Sequence, residues 1–122
     1  MIYNHHHIRI PESLAEVRFN VHAYISKNVW MKLIKEALDL TYLDMTPAED
    51  MTDANMKSLL LDHPKSLKKL RNFIVRGRYR GGDIALTEAS IDNLAARCSS
   101  IKCIGDCSTW NLSSNATEYI YF

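Results

Sequence analysis

An apolar residue followed directly by a hydroxyl residue recurs at Ile25-Ser26, Met51-Thr52, Leu86-Thr87 and Leu112-Ser113. The first and last intervals are equal, and the middle one is longer. Trp30, Met56 and Ile91 stand five residues beyond the first three marks, and Leu33, Leu59 and Leu94 stand eight beyond. Apolar residues three and four apart make one face of a helix, and Ser or Thr before such a run is an N-cap candidate. The spacing predicts helices carrying the stripes Trp30, Leu33, Ile34 and Ala37, then Met56, Leu59 and Leu60, then Ile91, Leu94, Ala95 and Cys98. A last helix is expected from Leu112-Ser113 to Phe122. His63-Pro64 ends the second helix, because proline has no amide to donate and clashes with the preceding turn.

Ahead of each mark lies a short segment with apolar residues at its first and fourth positions, and in the first two segments at the sixth as well. Leu14-Ala-Glu-Val17-Arg-Phe19 and Leu40-Thr-Tyr-Leu43-Asp-Met45 begin eleven residues before Ile25 and Met51, and Ile101-Lys-Cys-Ile104 begins eleven before Leu112. The third segment is set at Leu67-Lys-Lys-Leu70-Arg-Asn72, about one period after Leu40, with Phe73-Ile-Val75 prolonging its apolar character. The long middle interval is assigned to an Arg/Gly insertion, Arg76 to Asp83. Strand, turn and helix repeating at such a period predict units that stack, since one unit cannot bury both faces of its own core. Residues 1–13 are read as a tail or the remnant of a preceding unit, and 14–122 as the repeat segment.

These residues resemble leucine-rich repeats of the cysteine-containing class found in F-box/leucine-rich-repeat proteins. Cys98 matches that class's helix-end cysteine, with Ala37 and His63 in the same place in the other helices. Its strand-following cysteine is replaced by His22 and Ala48. The resemblance implies an α/β solenoid of about four partial repeats, with parallel strands on the concave face and helices on the convex face. It also implies a module that binds proteins, similar to the substrate-recognition part of a ubiquitin-ligase adaptor. The stretch ahead of Leu14 is too short for an F-box, so ligase subunits are expected as partners of a longer form only. Neither end shows a capping unit, and the chain is expected to be a fragment or short form that can self-associate through those ends.

Charge narrows the partner classes. Fifteen Lys and Arg against fourteen Asp and Glu leave a net charge of +1, so the molecule as a whole is neither a polyanion binder nor an acidic tail. The distribution is uneven. Lys65, Lys68, Lys69, Arg71, Arg76, Arg78 and Arg80 form a basic band without an acid, and seven acids between Glu36 and Asp62 face only Lys57. The basic band, with Tyr79 and Phe73, could hold an acidic protein segment or a nucleic-acid backbone, or simply complement the acids of the neighbouring unit. No apolar run approaches the length of a membrane-spanning helix. The N-terminus lacks a secretory apolar region, which with three closely spaced cysteines predicts free thiols in the cytoplasm or nucleus. The sequons at Asn111 and Asn115 are then chance matches.

Catalytic and metal signatures are weak. His5-His6-His7 together with Cys98, Cys103 and Cys107 lacks the paired spacing of a structural zinc site. No nucleophile elbow, phosphate loop or His-Glu-x-x-His stands in the sequence. A non-enzyme without cofactor or metal is expected. Binding residues are assigned instead to the strand positions between the leucines: Glu16, Arg18, Tyr42, Asp44, Lys69, Arg71 and Cys103, extended by Arg76, Arg78, Tyr79 and Arg80 of the insertion. A truncated structural or inhibitory fragment that pairs with another repeat protein is one alternative function. A nucleic-acid-associated adaptor using residues 65–80 is the other.

Overall fold

The computed structural model describes residues 10–20, 23–49, 51–77, 84–105 and 109–112. Elements alternate along the chain: β1 (Glu16–Arg18), β2 (Tyr24–Ile25), α1 (Lys27–Glu36), β3 (Tyr42–Pro47), α2 (Asp53–Asp62), β4 (Asn72–Val75), α3 (Glu88–Arg97) and β5 (Cys103–Gly105). The main strands pair in parallel in the order β1-β3-β4-β5, β2 pairs with β3, and the sheet is open rather than closed on itself. The result is a mixed α/β fold with one parallel sheet and three helices among the described residues. Each helix lies in the crossover between two parallel main strands, the longer connection that parallel pairing requires.

The register lines up one residue from each strand. Glu16, Tyr42, Asn72 and Cys103 form one row across the sheet, and Arg18, Asp44, Ile74 and Gly105 form another. Between them runs Val17, Leu43, Phe73 and Ile104, of which the last three are buried. Just before each strand one carbonyl accepts two successive amides of the next strand. Ala15 O takes Thr41 N and Tyr42 N, Thr41 O takes Arg71 N and Asn72 N, and Arg71 O takes Lys102 N and Cys103 N. Two residues opposite one interrupt the strict in-and-out alternation, as a bulge does. This explains the one-four-six spacing. Leu40 and Leu43, like Leu70 and Phe73, lie three apart yet are both fully buried.

The sheet corrects the third segment. It starts at Leu70, with Phe73 and Val75 as its fourth and sixth positions, and not at Leu67. The intervals from Ile25 to Leu40 and from Leu86 to Ile101 are equal, whereas that from Met51 to Leu70 is longer by four. The long spacing is therefore split, with four extra residues before β4 and five in the Arg/Gly loop after it. The extra four form successive turns over 64–69 and place Leu67 at φ 63 with its side chain fully buried. Leu67 thus serves the core from a turn.

The marks behave as helix starts. Thr52 and its third residue Asn55 exchange hydrogen bonds in a capping box, both 3.1 Å, and Thr87 Oγ1 accepts from Ala89 N at 3.2 Å. Ser26 occupies the same position before α1 without a side-chain cap bond. Each helix ends alike: the amides of Ala37, His63 and Cys98 donate to Leu33, Leu59 and Leu94. Trp30, Leu33 and Ile34, Met56, Leu59 and Leu60, and Ile91 and Leu94 are buried against the sheet. Ala95 departs from the expected stripe. It is exposed, and Ser90 is buried in α3 instead. The helix expected after Leu112 falls outside the described residues.

Candidate functional site

Side chains between the buried strand positions stand on the exposed face of the sheet. Over β1 and β3 they are already engaged with one another. The Arg18 guanidinium lies 4.1 Å from the Tyr42 ring centroid and 3.7 Å from the Glu16 carboxylate. Cation–π pairs at exposed sites contribute about 0.5–1 kcal/mol. Arg76, at the end of β4, makes a two-pronged contact with Asp44 of β3, Nε to Oδ1 at 3.1 Å and Nη2 to Oδ2 at 3.2 Å. The planar guanidinium matches the carboxylate geometrically, so this pair fixes both residues more firmly than a single contact would.

Lys69 and Arg71 do not occupy the rows to which the sequence reading assigned them, because β4 is shifted by three residues. Asn72 and Ile74 stand there instead. Lys69 lies in the preceding turns and reaches Asp39 at 2.6 Å, an exposed pair in which the carboxylate raises the lysine pKa through the hydrogen bond and the Coulomb attraction. Arg71 lies at the bend before β4, beside Thr41 on one side and Lys102 on the other. Both Arg71 and Lys102 are exposed. Asn72, Ile74 and Lys102 were missed. The signal that finds them is the alternative frame Leu70-x-x-Phe73-x-Val75, in which buried Leu40, Leu43 and Met45 each have a buried counterpart.

Arg78, Tyr79, Arg80, Cys107 and His5 to His7 lie outside the described residues. The boundaries of the Arg/Gly loop are nonetheless held. Thr109 Oγ1 accepts from Gly77 N at 2.9 Å and Thr109 O accepts from Ile84 N at 3.2 Å, so one residue secures both ends. Trp110 adds a bond from Nε1 to Val75 O at 2.8 Å and packs edge-on to Phe73 with ring centroids 6.4 Å apart. Trp110 is therefore a packing residue, as is Trp30, which is 1% exposed in the core.

The thiols differ. Burial pushes the Cys98 thiol up to about 11, slightly opposed by Arg97, and a thiol held protonated is a poor nucleophile. Cys103 is half-buried in the face row beside Asn72. Among the described residues no group of three or more His, Cys, Asp or Glu is placed to hold a metal ion. No helix among them is long and apolar enough to cross a membrane. The helical side carries an open groove of about 400 Å3 at the C-terminal ends of α1 and α2, lined in part by Lys35, Glu36, Asp62 and His63.

Comparison with family models, curated proteins and solved structures finds no match for this chain.

Proposed function

We propose that this chain is a leucine-rich-repeat segment that binds a protein partner on the exposed face of its parallel sheet, and that it is not an enzyme. The observation that carries the reading is the two-row ladder Glu16–Tyr42–Asn72–Cys103 and Arg18–Asp44–Ile74–Gly105, held in register by three successive parallel pairings. Such a ladder offers closely spaced, rigidly positioned side chains of mixed chemistry, which suits protein recognition. The sequence resemblance adds the role of the target-holding part of an F-box ubiquitin-ligase adaptor, in the cytoplasm or nucleus. The nucleic-acid reading is weaker, since Lys69 and Arg76 of the basic band are paired with Asp39 and Asp44.

Affinity capture with mass spectrometry tests this in parallel on the wild type, an Arg18→Glu/Tyr42→Ala variant of the face, and a Lys57→Glu variant of helix α2. Proteins retained by the wild type and Lys57→Glu but lost with the face variant are the expected result. Ubiquitin-ligase subunits among them would support the adaptor role. A retained set that is identical for all three chains would remove the face from the function.

A further inference from the structure

We infer that the β4–β5 half of the exposed face is the specificity-determining part and takes an acidic, extended protein segment. This rests on the binding role proposed above and names the chemistry of its partner. The face divides by charge. Over β1 and β3 each ionised group has an opposite or aromatic neighbour: Glu16 with Arg18, Arg18 with Tyr42, Asp44 with Arg76. Asp39 and Lys69 neutralise each other beside it. Over β4 and β5 the rows hold only neutral residues, Asn72, Ile74, Cys103 and Gly105.

At the rim of that half stand Arg71 and Lys102. They are equivalent residues of adjacent strands, joined by the bond from Lys102 N to Arg71 O at 2.7 Å, and so lie about 4.8 Å apart across the sheet. Both side chains are exposed, and neither has an acidic partner among the described residues. Two uncompensated cations one strand spacing apart repel each other, and an added carboxylate relieves that repulsion while gaining its own attraction. Two carboxylates at alternate positions of an extended segment lie about 7 Å apart on one face, within reach of two long basic side chains. Neutral polar and apolar groups beside them complete a surface for such a segment's remaining residues. Gly105 is itself buried, yet no atom among the described residues lies within 4 Å of where a Cβ would stand. A nucleic acid is a poorer fit, because the rows over β4 and β5 hold no aromatic among the described residues and Tyr42 of the neighbouring row is already engaged by Arg18.

The test is fluorescence anisotropy on the full chain with three labelled probes: an octapeptide alternating Glu and Ser, its Gln/Ser counterpart, and an oligothymidylate of equal charge. The Glu peptide is expected to bind at least tenfold more tightly than the Gln peptide, and more weakly as salt rises. Arg71→Glu/Lys102→Glu should abolish that preference, Arg71→Ala/Lys102→Ala should reduce it, and Lys35→Glu/Lys57→Glu on the helices should preserve it. Thermal melts establish that each variant is folded, and the alanine pair provides the reading if the double reversal is not. Equal binding of Glu and Gln peptides, or unchanged preference in the Arg71/Lys102 variants, overturns the inference. So does an oligothymidylate that binds as tightly as the Glu peptide and displaces it, which assigns the rim to polyanions. If the peptide assay fails while Arg18→Glu/Tyr42→Ala still loses its captured proteins, the inference alone falls and the binding role stands.

Discussion

Leu67 concentrates the conflict between backbone and core. A leucine in the left-handed region costs roughly 1–2 kcal/mol relative to extended or helical backbone, yet its side chain is fully buried beside Leu70. The packing of that side chain outweighs the backbone cost. Truncation to Ala loses the packing and keeps the unfavourable φ, at about 2–4 kcal/mol. Glycine loses the same packing but relieves the backbone. We expect Leu67→Gly to be no less stable than Leu67→Ala by urea denaturation, the reverse of the order at an ordinary buried leucine; an alanine variant clearly more stable than the glycine variant would contradict the left-handed turn.

Leu67 also marks where the chain was hardest to read. Leu67 and Leu70 each offer a leucine with an apolar residue three positions on, and composition cannot choose between them. Pairing can: only the frame at Leu70 places Phe73 against Leu43 and Val75 against Met45. The caps Thr52 and Thr87 and most of the core were legible because they depend on neighbours along the chain, as at Trp30 with Leu33, whereas Ser26 makes no cap bond and Ala95 is exposed. The cross-strand partners Asp44–Arg76 and Asp39–Lys69 were not, because they depend on a register that local sequence leaves open. They do realise the complementarity between acidic and basic bands that the charge pattern suggested.

At the scale of elements, α2 and α3 are joined at both ends. Asp53, the first residue of α2, accepts from Thr87 N at 2.9 Å, from Thr87 Oγ1 at 2.6 Å and from the Ser90 hydroxyl. At the other end Arg97 donates to Leu60 O and Pro64 O, both at 2.6 Å, serving a carbonyl that the end of α2 leaves open. Burial pushes the Asp53 carboxyl up, but the bonds from Ser90 and Thr87 outweigh it and leave the pKa below 3.8. A carboxyl depressed in the folded state contributes stability above its unfolded pKa and loses it as pH falls through the folded value. We expect Asp53→Asn to lower stability by a constant amount above about pH 5, consistent with about 1–3 kcal/mol for charged hydrogen bonds. The difference from wild type should shrink as pH falls below 4. Denaturation series at stepped pH measure it, and a difference that grows on acidification would show that Asp53 is not held ionised by these bonds.

Across the whole molecule, pairing is uneven. β3 and β4 are each flanked by strands on both sides, whereas β1 and β5 have one strand neighbour among the described residues. Opening a central strand breaks two ladders and exposes Leu43, Met45, Phe73 and Val75, so its local unfolding approaches the global cost. Amide hydrogen exchange followed by NMR should find the slowest protons in β3 and β4, with β1 exchanging sooner. Equal protection of β1 and β3 would mean that the first strand is covered by something other than β3.

The shared carbonyls at Ala15, Thr41 and Arg71 have a consequence for how the chain is made. Each acceptor precedes its two donors in sequence, and each main strand pairs with the one synthesised just before it. From β3 onward a nascent chain emerging residue by residue therefore finds an earlier strand to pair with, while β1 and β2 acquire their ladders when β3 emerges. The order of translation and the order of assembly run in the same direction.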